Sequence, residues 1–173
     1  RGDLVLAGGW LEAPEDRAGG SWAWHPEFDL GSASVPILVV DVNGDGRNDL
    51  IVGRAHGYGL WWYEQTVSRG KRKWVQHPID PFNATYHDMH WVDIDNDGAC
   101  ELVTGKRYMA HNGNDPGERE PLGLYWYEYR KAAKGVEWIR HIIDYSTRTG
   151  GGMQIAVADV DGDGDLDIVA PGK

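Results

Sequence analysis

Cysteine is nearly absent. Cys100 stands alone among 173 residues, so no internal disulfide can form, and cysteine usage leaves the redox compartment open. Basic charge is scarce as well. Seventeen Lys and Arg against 27 Asp and Glu leave a net charge of −10, and no basic cluster is large enough to hold a phosphate backbone against that field. Nucleic acid is therefore excluded as a partner, and the run Arg69 to Lys73 reads as a solvated hairpin tip. No apolar stretch approaches the roughly 18 residues of a membrane span. The N-terminus does not read as a signal peptide, and a cleaved leader would leave no trace in it. Phenylalanine is rare, with two Phe beside nine Trp and eight Tyr. Rings with a polar handle suit half-buried sheet surfaces and faces that contact sugars.

What the chain does contain is a repeat, and self-similarity at this scale separates repeat architectures from single-core folds. Three segments align without gaps: Asp41-Val-Asn-Gly-Asp-Gly-Arg-Asn-Asp49, Asp93-Ile-Asp-Asn-Asp-Gly-Ala-Cys-Glu101 and Asp159-Val-Asp-Gly-Asp-Gly-Asp-Leu-Asp167. Their starts lie 52 and then 66 residues apart, from 41 to 93 to 159. Each follows a short apolar run (Ile37 to Val40, Trp91 to Ile94, Ile155 to Val160) and precedes another (Leu50 to Gly53, Leu102 to Gly105, Ile168 to Gly172). Runs this short and β-branched predict strands. An aromatic strand comes next, Gly59-Leu-Trp-Trp-Tyr-Glu64 and Gly123-Leu-Tyr-Trp-Tyr-Glu128, with a weaker Gly9-Trp-Leu-Glu12 near the start. A fourth strand carries Trp and then His three residues on: Trp22 and His25, Trp74 and His77, Trp138 and His141. Because these histidines recur with the repeat, they read as structural.

Four strands per unit without a helical pattern predict an all-β fold of β-propeller blades. The expected organisation is a partial blade over 1–34, full blades over 35–86 and 87–150, and a partial blade over 151–173. Arg1-Gly-Asp-Leu-Val-Leu-Ala-Gly8 aligns with the strand that follows the first acidic loop, so Asp3 would be the last residue of a further loop. That alignment assigns the Arg-Gly-Asp tripeptide, which looks like an integrin ligand, to a strand start. Propellers close with about 4–8 blades, so the expected partners are the remaining blades or a second copy of the chain.

The acidic segments space oxygen ligands along a tight turn, as Ca²⁺ requires with 6–8 oxygens at about 2.3–2.6 Å. Positions one, three, five and nine supply Asp41, Asn43, Asp45 and Asp49; Asp93, Asp95, Asp97 and Glu101; and Asp159, Asp161, Asp163 and Asp167. The seventh residue (Arg47, Ala99, Asp165) would lend its carbonyl, Gly46, Gly98 and Gly164 permit the bend, and water would complete each shell. An EF-hand begins the same way but needs a Glu at position twelve, where this chain has Val52, Thr104 and Ala170. The expectation is about three Ca²⁺ sites.

These loops between apolar strands resemble the FG-GAP or VCBS repeat family, whose members form calcium-stabilised propellers in integrin α-chains, fungal lectins and many secreted bacterial proteins. The resemblance spans nearly the whole chain and implies an extracellular, cell-surface or periplasmic protein. Residues Thr104 to Gly117 further resemble propeller domains of carbohydrate-active proteins of the aldos-2-ulose dehydratase type.

In an up-and-down blade the acidic loops and the loops joining strands three and four share one face. The opposite face collects the loops from strand two to three and the connections between blades. Unusual polar residues fall there: Tyr86, His87, Asp88 and His90; Lys106, Arg107, Tyr108, His111, Asn112, Asn114 and Asp115; and His56 and Tyr58 from the neighbouring blade. Long loops on a repeat scaffold usually carry function. The expected ligand contacts are Tyr86, His87, Lys106, Tyr108, His111 and Asp115, with Lys106 and Asp115 holding sugar hydroxyls and Tyr108 supplying an apolar wall. His87, His90 and His111 could hold a transition metal, or act as acid and base with Lys106 and Tyr108 as further catalytic candidates. Two functions fit: a carbohydrate-binding or interaction module, or the propeller part of a sugar dehydratase or lyase with its histidine site opposite the calcium loops. Asn83-Ala-Thr85 matches a glycan acceptor, a pattern that also arises by chance.

Overall fold

The computed structural model describes residues 2–33, 36–109, 111–133, 135–147 and 149–172. Among them there is no helix, and each short apolar run contributes to a strand. The first sheet is β1 (Leu4–Leu6), β2 (Gly9–Glu12) and β3 (Ala23–His25). The second is β4 (Leu38–Val40), β5 (Asp49–Gly53), β6 (Tyr58–Ser68) and β7 (Lys71–Ala84). The third is β8 (Tyr86–Val92), β9 (Glu101–Lys106), β10 (Gly123–Lys131) and β11 (Val136–Tyr145), and β12 (Ala156–Ala158) pairs with β13 (Asp167–Val169). Every pairing is antiparallel between strands consecutive in sequence. The result is an incomplete, propeller-like all-β array in which no sheet closes on itself. The basic run Arg69 to Lys73 is the β6–β7 hairpin tip, with Arg69 and Gly70 both at positive φ. Arg1 lies outside the described residues. Gly2 and Asp3 precede β1, and the Asp3 carboxylate accepts a bond from Ala13 N at 2.9 Å.

The second strand of each full sheet is buried along its whole length. Such a strand needs apolar residues on both faces rather than strict alternation, as Leu50-Ile-Val52 and Leu102-Val103 provide. Ile51 faces the third sheet and joins Leu60, Trp62, Tyr86, Met89, Leu102, Tyr125 and Tyr127 in one core. Its neighbours Leu50 and Val52 face the first sheet and pack with Leu30 and Tyr63. Successive residues of one strand thus serve two interfaces, each buried Leu or Ile contributing about 1.5–3 kcal/mol.

A cross-strand unit repeats on the outer half of the first three sheets. Trp10, Trp62 and Trp126 lie directly opposite His25, His77 and His141. The ring pairs stack at 4.1, 4.6 and 3.7 Å. Each imidazole Nε2 also meets a glutamate two residues after the Trp: Glu12 at 3.1 Å, Glu64 at 2.8 Å and Glu128 at 3.3 Å. Ring stacking and one polar bond hold strand three to strand four where the sheet is partly wet. The three histidines are structural.

Between the two full sheets lies a buried polar cluster. Asp80 Oδ2 accepts bonds from Tyr127 OH at 2.8 Å, Tyr86 OH at 3.2 Å, Asn83 Nδ2 at 2.9 Å and Arg140 Nη1 at 3.2 Å. Tyr86, expected at the ligand face, is instead fully buried here, because its hydroxyl finds Asp80 and Tyr127 in the inter-sheet core. The same cluster engages the Asn83 amide, while the Thr85 hydroxyl is buried on the Arg107 carbonyl. Burial pushes the Asp80 carboxyl up, yet bonds from Tyr127, Asn83 and the Phe82 and Asn83 amides outweigh it, so its pKa lies below the ordinary value. A depressed carboxylate pKa adds stability above the unfolded-state value that disappears as pH falls through the folded one. Asp80→Asn should therefore cost about 1.5–3 kcal/mol near neutral pH and less in acid, as read from urea melts at several pH values. Equal cost at all pH values would show that charge plays no part.

Candidate functional site

The three acidic turns share one backbone design. In the first, Asp41 accepts bonds from Asp45 N at 3.1 Å and Gly46 N at 2.8 Å. Asp93 does the same with Asp97 N at 3.1 Å and Gly98 N at 3.0 Å. Asp159 takes Gly162 N at 2.7 Å and Gly164 N at 3.1 Å. The third residue (Asn43, Asp95, Asp161) accepts from the amide of the fifth, and the fifth (Asp45, Asp97, Asp163) from that of the seventh (Arg47, Ala99, Asp165). Gly46, Gly98 and Gly164 have φ of 82°, 91° and 99°, in the left-handed region that glycine enters without strain. The aspartate that opens each turn has left the ladder: β8 ends at Val92, so Asp93 and Ile94, expected within the strand, belong to the turn.

In the first two turns the ninth residue is set apart by burial. Asp49 is 0% exposed and Glu101 2% exposed. Asp49 accepts bonds from Val42 N at 3.3 Å, Trp62 Nε1 at 2.9 Å and Gln65 N at 2.8 Å. Glu101 and Asp167 repeat the backward bond, from Ile94 N at 3.1 Å and Val160 N at 2.8 Å. In the second turn, oxygens of Asp93, Asp95 and Glu101 lie within 4.8 Å of one another, and in the third those of Asp159, Asp161 and Asp167 do. Burial, with Asp95, Asp97 and Asp93 adding to it against the Ile94 bond, pushes the Glu101 carboxyl up to about 7. The first turn differs. Asn43 stands at position three and donates to Glu64, while Asp45 pairs with the Arg47 guanidinium.

At the opposite end of the sheets, Thr85 alone joins β7 to β8, at φ 60°. It sits between two loops: Thr85 N donates to Gly57 O at 3.1 Å, and Arg107 N donates to Thr85 O. This stitch brings the β5–β6 turn, the start of β8 and the β9–β10 loop together. A close approach extends it, since a Cβ on Gly105 would lie 2.6 Å from Gly151 Cα.

Three histidines meet at that stitch. His56 and His111 stack at 4.6 Å, and His87 stands edge-on to His56 at 5.5 Å. Asp115 Oδ2 lies 2.8 Å from Nδ1 of both His56 and His111. Burial first, and then Arg107 and the two other histidines, push the His87 imidazole down to about 4, and its buried Nε2 has no partner. The expected trio of His87, His90 and His111 is not what converges. His90 bonds Ile155 O at 2.9 Å and Asp88 at 3.4 Å, because Asp88 and His90 together grip the connection that leads to β12. His56, 59 residues from Asp115, takes its place.

Lys106, expected as a ligand contact, is 1% exposed. Its ammonium bonds Gly117 O and Thr85 Oγ1 with Glu120 at 3.7 Å, so it ties the long loop to the stitch from a buried position. Glu118, which the sequence offered no reason to single out, closes that loop from within: it is 1% exposed and accepts bonds from His111 N at 3.1 Å and Asp115 N at 3.2 Å. A partly exposed Tyr108 lines a shallow recess of about 200 Å³ with Pro121, Leu122 and Ser146, and Tyr58 is exposed beside Glu120.

A family model of the FG-GAP-like repeat matches residues 41–104 and 108–170. The chain belongs to the FG-GAP repeat family. FG-GAP repeats indicate a β-propeller-like repeat module, and they are typical of extracellular or surface proteins. The two matched FG-GAP stretches hold all three acidic turns and most of the long loop. No curated protein and no solved structure matches the chain. No helix among the described residues is long and apolar enough to cross a membrane.

Within this FG-GAP scaffold the long loop depends on one buried cation. Replacing Lys106 with Met removes the Thr85 and Gly117 bonds while filling the same space, at a cost of about 1–3 kcal/mol. Amide hydrogen exchange should accelerate across residues 107–122 and stay unchanged in the acidic turns; uniform acceleration would show that the lysine holds the whole fold rather than the loop.

Proposed function

We propose that this FG-GAP segment is a calcium-stabilised propeller module that binds carbohydrate on the face opposite its acidic turns. The observation that carries the metal half of this reading is the convergence of Asp93, Asp95 and Glu101, and of Asp159, Asp161 and Asp167, with oxygens of each trio within 4.8 Å of one another. Hard oxygen donors at that spacing suit Ca²⁺. The ion would be held by positions one, three, five and nine with the carbonyl of position seven, and it would supply the positive charge that offsets crowded carboxylates. The first turn, with Asn43 at position three and Arg47 paired to Asp45, takes calcium most weakly. Melting with and without a chelator tests this. Each filled site adds about 2–3 kcal/mol when free calcium is about a hundredfold above its Kd, so the midpoint should fall in EDTA. An unchanged midpoint refutes calcium stabilisation.

The binding half rests on where exposed rings and polar groups gather. Tyr58 and Tyr108 are exposed, Tyr58 just after the turn that carries His56 and Tyr108 on the loop that carries His111 and Asp115; a sugar ring needs an apolar platform and hydrogen-bonding groups. The half-buried His87, with its neutral imidazole beside Arg107, also supports a catalytic reading, a sugar dehydratase or lyase in which His87 takes a proton. Further blades, or a second copy, would cover the apolar residues exposed on the outer sheets, such as Leu4, Leu6, Val160 and Val169. The reading places the protein outside the cell or in the periplasm.

Glycan-array binding of the calcium-loaded chain, repeated with Tyr58→Ala and Tyr108→Ala, checks the carbohydrate reading. Loss of a bound glycan by about tenfold or more supports it. Wild-type binding in both variants puts the site elsewhere, and turnover of a bound sugar that disappears in His87→Ala would favour the enzyme.

A further inference from the structure

The His56, His111 and Asp115 cluster gathers two imidazoles and a carboxylate, all metal-ligating groups, around one oxygen atom. Two imidazole Nδ1 atoms, each at 2.8 Å, address the same carboxylate oxygen from rings stacked 4.6 Å apart and 20° from parallel. One ligand atom from each of the three residues lies within 4.8 Å of the others. Two neutral imidazoles could share that oxygen only by both placing a proton on Nδ1. Two protonated rings would face each other as stacked like charges. A cation seated among the three atoms instead takes both nitrogen lone pairs and the carboxylate charge at once.

The donor set decides which cation. Calcium takes oxygen ligands, so a site with two nitrogens selects against the ion proposed for the acidic turns. Two imidazoles and a carboxylate suit divalent first-row transition ions, Zn²⁺ among them. The side chains of His56 and His111 are 45% and 53% exposed, which leaves the outer side of the cluster open to water or to a ligand oxygen. On its inner side stands His87, edge-on to His56, with a buried Nε2 that bonds nothing. The loops are held without the ion: the turn that carries His56 is bonded through Gly57 O to Thr85 N, and Asp115 through its amide to the buried Glu118.

We propose that His56, His111 and Asp115 bind one divalent transition-metal ion of the Zn²⁺ class in an open site that joins two neighbouring sheets. His56 comes from the turn between β5 and β6, and the other two ligands from the loop between β9 and β10, so the ion cross-links elements 59 residues apart. The remaining coordination positions can take water or a hydroxyl of a bound molecule. This inference does not rest on the calcium reading; it shares His56, His111 and Asp115 with the carbohydrate reading, and zinc binding without sugar tests it separately.

The test titrates the full chain with Zn²⁺, and with Co²⁺ as a spectroscopic stand-in, in saturating calcium. One equivalent should bind, the Co²⁺ absorption should report nitrogen ligation, and the melting midpoint should rise. His56→Ala, His111→Ala and Asp115→Asn should each weaken that equivalent by about tenfold or more and abolish the midpoint rise. The two histidine side chains are about half exposed, so the variants should melt like the parent in calcium without zinc. If His56→Ala and His111→Ala are destabilised without zinc, the conservative Asp115→Asn chain decides the outcome. Zinc binding that survives all three substitutions places the ion elsewhere, in the acidic turns, and overturns the proposal, as does the absence of any binding in saturating calcium.

Discussion

The carboxylate at the end of each acidic turn is the constraint on which each sheet depends. Asp49 reaches back to the Val42 amide and forward to the Gln65 amide and the Trp62 indole, so one side chain fastens the turn and the third strand to the second. Glu101 and Asp167 keep the backward bond, and Asp3 keeps the forward one, to Ala13. A buried carboxylate is expensive unless hydrogen-bonded, so the backbone around it has little freedom. A strand that begins at a carboxylate bonded to the turn or the third strand starts at a fixed register, and the Trp, His and Glu unit repeats at the same offset in the first three sheets.

The same architecture separates scaffold from variation. At one end of the sheets the acidic turns are near copies of one another. At the other end the single residue Thr85 crosses between sheets and bonds the loops on either side. Buried Lys106 and Glu118 then hold the long β9–β10 loop from inside, which leaves His111, Asp115 and Tyr108 displayed on a fixed base. The polar investment under this loop is heavy: Arg107 is 7% exposed, with Nε and Nη2 unpartnered. Burying such groups costs stability, which the bonds of Lys106 and Glu118 to the same loop offset in part.

Much of this was legible along the chain. The acidic turns declare themselves because their bonds run between residues two to five apart, so alignment of Asp41, Asp93 and Asp159 finds them directly. Strand order was equally plain, since each strand pairs with its neighbour in sequence. Strand ends were less so. Asp93 and Ile94 continue an apolar run yet belong to the turn, because the aspartate side chain competes with the ladder for backbone amides.

The opposite face shows where local reading stops. Tyr86 and Lys106 look like exposed polar residues beside a loop, and only the packing of one sheet on the next puts Tyr86 on Asp80 and encloses Lys106 under Gly117. His90 and His56 exchange roles for the same reason, one turned to the next connection by Asp88 and the other brought to Asp115 by the Thr85 stitch. By itself the sequence determined the repeat, the strand order and the acidic turns, since hydrophobic period and turn chemistry act between near neighbours. Tertiary structure alone decided which polar side chains were buried and which histidines met, because those contacts join segments tens of residues apart and no local pattern records them.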